Sequence, residues 1–584
     1  MRYLRMLTNS IVAGGLATTY VLVVVLQLNP ALSLHPARVM PLVTTVGSFY
    51  AIQLTILSFT ILFVRSLLTR GVASPAWISV GVQVWLSALA SAGGAGLMWA
   101  NLATFVRVLD ERTVTTMNSG AATLALCSFC LLLLAYARRT FGREARWTWA
   151  AVLVVVVGTS VVVPVALRGA GETSPVGGPP PSAAIVEDAA PAAPGSRLRV
   201  LAIDAGSLEF IARATAEGRL PNFGRILDRG AVMHLATIHP TSAEAVWAAA
   251  VTGKLPLENG IRSAGIYDLR YGSDAVQLLP NYCFAYQLVR FGFLVERPHT
   301  SATLRAQPLW SVLSAHGISV GVVAWPLTEP PPPVRGYVVS DTYLREPAPL
   351  SHALRSPGVS PETVRAAVGR ALEDPADASG AVPAAMTPLQ VRDRTAGRID
   401  RASDRVAREL DALFRPQVTF TRYQSLDPIG HYFLRYATPS VFGDLPDEEH
   451  RSLAAVLERH YRLIDEAIGR AIEALGPDDL LLVVSGFGME PMGIGKRILE
   501  RAIGDPDLNG THDAAPDGFL MAYGSQVAPG RLITRASIVD LAPTILYVLG
   551  LPIGRDMAGF ARTDLFQREF TDEYPITFIP TYER

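Results

Sequence analysis

LRVLAID (198–204) is a short apolar run that ends in a carboxylate, which is typical of a buried β-strand. Helical stretches follow and separate further runs of the same kind, which are ISVGVVAW (318–325), VTFTRYQ (418–424) and DLLLVVS (479–485). Apolar strands that alternate with helices favour a mainly parallel sheet covered by helices on both faces. The sequence therefore predicts an α/β domain over residues 198–584.

Polar residues collect where these strands end. Asp204 closes the first strand, Asp427 lies just past the VTFTRYQ strand, and Ser485–Gly488 follows the last one. The carboxyl ends of parallel strands share one edge of the sheet, where ligands of open α/β sheets bind. We expect the functional site at this edge.

The chain before residue 168 has a different, more apolar composition. Five apolar stretches there approach the length of about 20 residues that spans a bilayer: 7–28, 41–64, 77–105, 115–137 and 147–167. Buried helices of a soluble protein are the alternative, but five in succession favour membrane spans. The first stretch lacks a convincing cleavage site and four others follow it, so it is interpreted as an anchor.

Arginine is distributed unevenly around these spans. It is enriched before the first, after the second and after the fourth span, and it is sparse or offset by carboxylates in the other loops. By the positive-inside rule, the N-terminus is cytoplasmic and everything after the fifth span is extracytoplasmic. The bilayer is thus a predicted partner. The near absence of lysine suggests a GC-rich bacterial genome, so the spans are expected in the inner membrane of a bacterium.

These observations divide the chain into three parts. Residues 1–167 are predicted as the five-helix membrane region, 168–197 as a linker rich in Pro, Ala and Gly, and 198–584 as the α/β domain. Within that domain, the segments 265–307 and 342–415 are expected to form a cap beside the site. The formal net charge is zero, so no nucleic-acid partner is indicated, and three cysteines do not suggest a disulfide framework.

A series of motifs makes the α/β region resemble a known family. It comprises HPTSAEAVWAAAVTGKLPLENGI (239–261), PLWSVLSAHGISVGVVAWPLTEPPPPVRGYVVSD (308–341), LDPIGHYFLRY (426–436), DLLLVVSGFGMEP (479–491), GTHDAAPDGFLMAYG (510–524) and SIVDLAPTILYVLGLPIGRDMAGF (537–560). In this order they resemble the type I phosphodiesterase/nucleotide pyrophosphatase branch of the alkaline phosphatase superfamily. The resemblance implies that superfamily's fold, two divalent metals and a Ser or Thr nucleophile at a helix N-terminus.

The first metal site implied by the resemblance is present. Asp427 and His431 form a D-x-x-x-H pair, and His512 supplies a third ligand. Carboxylate and imidazole ligands suit zinc or a similar ion. One bound divalent cation is therefore expected. The alternative is that these residues are inherited and satisfied by hydrogen bonds.

The second implied site lacks its ligands. Asp204 matches one of them, but Gly486 and Phe487 stand where the family has an Asp-His pair, and neither can bind a cation. Asp204 is thus a weak metal candidate, and helping to cap the turn after its strand is the alternative role.

The nucleophile position is also changed. Aligned on Trp247 and Thr252-Gly253, the family's Ser or Thr falls at Ala243, whose methyl group cannot attack phosphorus. Ser242 and Thr241 are weak substitutes; capping the following helix is the favoured alternative, with Thr241 and Glu244 at capping-box spacing. Asn259 occupies the position of a family histidine and is a weak substrate-side candidate.

Three functions remain open. The favoured one is a membrane-anchored pseudoenzyme that keeps one metal site and binds a phosphorylated small molecule or an envelope component. The second is a residual single-metal phosphoester hydrolase. The third, an envelope phosphoryl-group transferase, rests on architecture alone and needs the covalent nucleophile that Ala243 replaces.

Overall fold

The structure is a computed structural model that describes residues 1–68, 75–141, 146–171, 196–272, 274–345, 357–373, 386–437 and 447–583. It divides into two compact units, each described by itself below. One comprises Met1–Pro175 with Gly265–Pro298, and the other comprises Val176–Ala264 with His299–Arg584. Most of the predicted linker 168–197 lies outside the described residues.

The helices are numbered in chain order among the described residues. They are α1 Arg2–Leu28, α2 Pro36–Leu42, α3 Ser48–Leu68, α4 Val80–Phe105, α5 Glu111–Thr140, α6 Arg146–Arg168, α7 Leu208–Ala216, α8 Pro221–Arg229, α9 Ala243–Thr252, α10 Pro256–Asn259, α11 Gln287–Arg290, α12 Leu309–Ala315, α13 Asp341–Arg345, α14 Arg365–Leu372, α15 Pro388–Phe414, α16 Leu426–Ala437, α17 Asp447–Glu473, α18 Ile494–Ile503, α19 Leu541–Val548 and α20 Arg568–Glu573.

The strands are numbered in the same way. They are β1 Leu198–Ile203, β2 Ala231–Ala236, β3 Gly265–Leu269, β4 Ala275–Val276, β5 Leu294–Pro298, β6 Val320–Val323, β7 Gly336–Val339, β8 Val359–Ser360, β9 Val418–Tyr423, β10 Leu480–Phe487, β11 Glu490–Pro491, β12 Gly510–Thr511, β13 Asp517–Tyr523, β14 Arg531–Ser537, β15 Ile553–Gly554 and β16 Phe578–Ile579.

The first unit contains the five predicted apolar helices. Each is long and apolar enough to cross a membrane: Arg2–Leu28, Pro36–Leu68, Val80–Val108, Glu111–Thr140 and Trp147–Arg168. Hydroxyl groups join them where the bilayer would offer no water, since Tyr20 Oη lies 2.8 Å from Ser91 Oγ and 2.7 Å from Ser160 Oγ. The prediction of five membrane-type helices is confirmed.

The segment Gly265–Pro298 groups with this first unit and not with the α/β unit. Its strands form a three-stranded sheet in the order β4-β3-β5. Asn29, after α1, donates to the Leu278 carbonyl at 2.8 Å and accepts from the Leu278 amide at 3.0 Å. Asn101 of α4 accepts from the Asn281 amide at 2.7 Å. These hydrogen bonds tie most of the segment 265–307 to membrane-type helices, and its role as a cap stays a prediction.

The second unit is built on a nine-stranded sheet, in the order β14-β2-β13-β10-β1-β9-β6-β7-β8. Its centre, from β10 to β7, is parallel throughout, while β13 pairs antiparallel with both β10 and β2, and β8 with β7. The mainly parallel sheet predicted from the apolar strands is confirmed. β10 runs two residues past the predicted strand and includes Gly486 and Phe487.

Helices cover both faces of this sheet, as predicted. On one face Leu201 and Ile203 of β1 join a core with residues of α7, α8, α16 and α17. On the other, Phe420 of β9 packs edge-to-face with Trp310 and Trp325 at ring distances of 6.1 and 5.8 Å. From the expected cap segment 342–415, α14 and α15 pack against the core residues of β6 and β7, so this described part is a helix layer of the sheet.

Candidate metal centre

The predicted ligands of the first metal site lie at the edge of the sheet where β9 ends. Asp427 is in the first turn of α16, and His431 lies one helical turn later. His512 follows the short strand β12. These three side chains form a group whose potential ligand atoms all lie within 4.8 Å of one another.

The geometry of this triad leaves room for a cation. Oδ1 of Asp427 lies 3.7 Å from Nε2 of His431 and 3.6 Å from Nε2 of His512. These distances are too long for hydrogen bonds. Oδ1 is buried and has no hydrogen-bond partner among the described residues. The alternative that the triad is satisfied by its own hydrogen bonds therefore finds no support at this oxygen.

Both imidazole rings are oriented through their other nitrogen. Nδ1 of His431 lies 2.8 Å from the carbonyl oxygen of Gly510, and Nδ1 of His512 lies 3.1 Å from that of Thr241. A carbonyl only accepts, so each Nδ1 carries the proton and each Nε2 directs a lone pair toward Asp427. Metal-binding histidines commonly have this arrangement. The donor set therefore fits a divalent ion such as zinc.

Asp204, the weak candidate for the second site, is paired within the protein. Arg422 of β9 donates from Nε to Asp204 Oδ1 at 2.9 Å and from Nη2 to Oδ2 at 2.5 Å. Trp247 donates from Nε1 to Oδ1 at 2.7 Å. Asp204 and Arg422 are only 1% and 3% exposed. The carboxylate is thus bound by side chains, and neither its predicted turn-capping role nor a cation is needed to account for it.

Arg422 is a functional residue that the sequence analysis did not single out. Burial by itself would lower the pKa of its guanidinium, but the charge of Asp204 outweighs that effect and raises the pKa above its usual range. Arg422 is therefore a permanent cation beside the site. One signal was available, because VTFTRYQ places an arginine within an otherwise buried strand.

The positions of the missing second-site ligands are closed by packing. The Phe487 side chain is fully buried, and its ring centroid lies 5.4 Å from that of His512. A Cβ atom at Gly486 would lie 2.3 Å from Cγ1 of Val246, so a side chain there requires a shift of α9 or of Val246. The packing around Gly486 and Phe487 therefore leaves no space for a larger side chain at position 486 unless its neighbours move.

The helix that should carry the nucleophile begins at Ala243. Ser242 is its N-cap and accepts a hydrogen bond from the Ala245 amide at 3.3 Å. Thr241 instead donates to the Ile238 carbonyl at 2.9 Å. Of the two expected capping residues Ser242 is therefore the cap, and the Thr241–Glu244 capping box is wrong because the helix starts one residue later than that box requires.

Glu244, in the first turn of α9, is a second residue that the sequence analysis did not assign to the site. Burial raises the pKa of its carboxyl to about 7, against the opposing charges of Arg422 and Arg345. This group therefore changes its protonation near neutral pH. It lies next to the nucleophile position Ala243, whose side chain cannot take part in chemistry.

Asn259, the weak substrate-side candidate, is fully buried. Its Nδ2 donates to the Lys254 carbonyl at 3.0 Å, and its Oδ1 accepts from the Ile261 amide at 2.9 Å. Both ends of the amide thus hold the turn around α10. This leaves its substrate-side role a prediction without support from its contacts.

A nine-stranded sheet with a carboxylate–imidazole triad at the end of its central strands defines the class, an alkaline-phosphatase-like α/β domain. The chain belongs to the type I phosphodiesterase/nucleotide pyrophosphatase family, whose model matches residues 198–524, more than half of the chain. Among solved structures, murine ectonucleotide pyrophosphatase/phosphodiesterase 5 is similar at 11% identity and a TM-score of 0.37, covering 64% of this chain and 100% of that one. No curated protein matches the sequence significantly.

Proposed function

We propose that this protein is a membrane-anchored pseudoenzyme of its family that binds a phosphorylated ligand through a single divalent cation. The observation that carries the proposal is the buried, unpaired Oδ1 of Asp427, which faces the Nε2 atoms of His431 and His512 at 3.6 to 3.7 Å. A cation bound there would supply a Lewis acid for a phosphate oxygen. The ligand is a phosphorylated small molecule or an envelope component.

The loss of the family chemistry is supported by three features of the same site. Ala243 offers no nucleophile, and the adjacent Ser242 hydroxyl is used as a helix cap. Phe487 fills the space beside His512. Arg422 neutralises Asp204. With these side chains, a covalent intermediate and a second cation have no place at this end of the sheet.

The proposal includes a location. Five membrane-type helices precede the α/β unit, and the arginine bias places the N-terminus in the cytoplasm of a bacterial cell. The α/β unit then lies outside the inner membrane, where it can meet envelope components. Reporter fusions after α6 and after α5 test this: an extracytoplasmic reporter is active in the first fusion and inactive in the second.

The test of function uses the full chain purified in detergent. We expect metal analysis after zinc loading to give about one equivalent per chain, a stoichiometry typical of a single three-ligand site. Activity on bis(p-nitrophenyl) phosphate should stay at background. Asp427→Ala should lose the metal, with affinity lowered at least about 100-fold, while Glu209→Ala, an exposed carboxylate outside the site, should retain it.

Two outcomes would contradict the proposal. Metal content equal in wild type and Asp427→Ala would remove the cation site. Turnover that depends on Asp427 would favour a residual single-metal hydrolase instead. In that case Glu244, in the first turn of α9, is the residue to test as a proton carrier, because burial raises the pKa of its carboxyl to about 7. A phosphoryl-group transferase ranks last because it requires a nucleophile at Ala243.

A further inference from the structure

The segment Gly265–Pro298 exposes several large aromatic side chains in the turn around α11, here called the aromatic turn (residues 282–291). Each of them is between 49% and 73% exposed: Tyr282, Phe284, Tyr286 and Phe291. The described part of the much longer α/β unit exposes the same number of aromatic side chains: Phe414, Phe560, Tyr574 and Phe578. Exposed apolar groups concentrated on so short a segment mark an interaction surface.

Two of these aromatic residues have an unfavourable backbone conformation. The φ angles of Tyr282 and Phe284 are +67° and +59°, in the left-handed region that bulky residues rarely adopt. Glycine adopts this conformation more readily. Strain of this kind persists where the surrounding structure imposes it, commonly at functional positions. The fold therefore keeps these two rings at the surface against a local backbone preference.

Contacts place the aromatic turn at one end of the membrane-type helices. Asn101, in the last part of α4, accepts from the Asn281 amide at 2.7 Å and donates to the Asn281 carbonyl at 3.1 Å. Phe49, in the first turn of α3, packs against Phe291 with ring centroids 6.3 Å apart. The end of α4 and the beginning of α3 meet the same turn, as expected for helices that cross a bilayer in opposite directions.

The turn reaches the level of the apolar parts of these helices. Phe49 lies eight residues into the apolar stretch 41–64, which is roughly 12 Å along a helix. Leu288 of α11 shares a buried core with Leu22 of α1, and Leu22 lies six residues, roughly 9 Å, before the end of α1. The polar zone on each side of a bilayer is only about 5–8 Å thick. The turn therefore lies level with the boundary between headgroups and acyl chains.

We propose that the aromatic turn is inserted in this boundary and contacts lipid. Tyrosine suits the position because its ring is apolar and its hydroxyl can bond to headgroups or water. The proposed function uses the five helices only as an anchor. The contact proposed here adds a lipid-binding surface on a segment that the sequence places within the α/β domain, and it does not depend on the cation at Asp427 or on the loss of catalysis.

The test uses the full chain in nanodiscs of phosphatidylethanolamine and phosphatidylglycerol. The photoreactive residue p-benzoylphenylalanine is incorporated separately at Tyr282 and at Phe291, and mass spectrometry after irradiation measures phospholipid adducts. We expect yields similar to that at Phe129, an exposed residue within the membrane-type helix α5. The yields should be several-fold above the lower of those at Phe414 and Phe560, which are exposed residues of the α/β unit.

Two outcomes would overturn the proposal. Adduct yields at Tyr282 and Phe291 no higher than the lower reference yield would show that the turn does not contact lipid. Cross-linked species of twice the chain mass in place of lipid adducts would show that a second copy of the chain covers the turn.

Hydroxyl-radical footprinting of the wild type in the same nanodiscs needs no substitution and so does not depend on the folding of a variant. Phe291 is 63% exposed, between Phe578 at 55% and Phe560 at 75%. We expect several-fold less oxidation of Phe291 than of either reference, because lipid excludes radicals formed in water. Oxidation of Phe291 at a rate between those of the two references would show that its ring faces water and would contradict the proposal.

Discussion

The two halves of the site, around Asp427 and around Asp204, each hold a buried carboxylate oxygen but surround it with different groups. Around Asp427, the described residues of the triad supply a carboxylate and two imidazole lone pairs. Around Asp204, at the end of the neighbouring strand β1, the protein supplies its own cation, the buried Arg422. The comparison teaches that a buried carboxylate at this edge of the sheet can be neutralised by a guanidinium of the protein, without a cation from outside.

The two cations are not chemically equivalent. An ion at Asp427 could keep an open coordination position for a phosphate oxygen, as three-ligand sites do. The guanidinium of Arg422 uses its Nε and Nη2 hydrogens on Asp204, and its buried Nη1 lies 3.9 Å from Asp341 Oδ2. Arg422 therefore stabilises a carboxylate of the protein, and we infer that this buried pair helps to hold the fold of the site.

Replacing Arg422 should lower the stability of the protein more than the other changes proposed below. Arg422→Met leaves Asp204 buried with only the Trp247 hydrogen bond, and removing one partner of a buried ion pair costs about 3–5 kcal/mol. We expect a clear fall in the melting temperature measured by intrinsic fluorescence. Adding Asp204→Asn should recover part of it, because the unpaired charge is then gone.

The control for this prediction is Arg213→Met. Arg213 pairs with Glu209 on the surface, where both side chains are well exposed, so its loss should cost less than about 1 kcal/mol. If Arg422→Met melts no lower than Arg213→Met, Arg422 is not the internal cation of the site. Zinc that raises the melting temperature of Arg422→Met by more than it raises that of wild type would strengthen the assignment.

Placing the carboxylate that the family has at position 486 should lower the stability of the protein by an intermediate amount. Gly486→Asp places a Cβ atom against Cγ1 of Val246, and overpacking of a core typically costs about 1–3 kcal/mol. Val246→Ala removes the obstructing methyl groups. We expect the double variant to melt above Gly486→Asp alone, which a double-mutant cycle on melting temperatures would measure. Additive effects of the two changes would show that Val246 does not close this position.

The third effect depends on pH and is comparable in size to the second. The carboxyl of Glu244 has a pKa raised to about 7 in the folded protein from an ordinary value of 4.5, first through burial. Between these values the folded state holds a proton that the unfolded state has released, so stability falls as pH rises through this window and is constant outside it. The expected loss is about 1–3 kcal/mol.

Melting temperatures of wild type and Glu244→Gln between pH 5 and 8 measure this contribution. Because Gln cannot titrate, the variant should lose less stability than wild type as the pH rises. Glu209→Gln, which changes an exposed carboxylate of α7, should follow the wild-type profile. Parallel curves for wild type and Glu244→Gln would contradict the raised pKa.

Much of the architecture could be predicted from the sequence because it depends on local patterns of apolar and polar residues. The apolar runs at 198–204, 418–424 and 479–485 became the central parallel strands, and the five apolar stretches became membrane-type helices. The D-x-x-x-H spacing of Asp427 and His431 placed both side chains on one face of a helix. His512 could be added because of the family resemblance, not because of its spacing.

Other features required the folded chain. The pairing of Asp204 with Arg422 joins residues 218 positions apart, and no local pattern in either strand specifies it. The cap of α9 is Ser242 and not the predicted box of Thr241 and Glu244, because the Thr241 hydroxyl donates to the Ile238 carbonyl instead. The segment 265–298 joined the helical unit through side-chain contacts such as Asn29 with Leu278.

The sequence by itself determined the class of fold and the membrane-type helices, and it predicted the candidate metal triad and Ala243 at the family's nucleophile position. Each of these depends on residue identity and on periodicity along one element. The tertiary structure alone decided that Arg422 neutralises Asp204 and that Val246 closes the space beside Gly486. These features depend on which side chains from distant elements meet in a buried, weakly solvated space, where charge and volume must be matched.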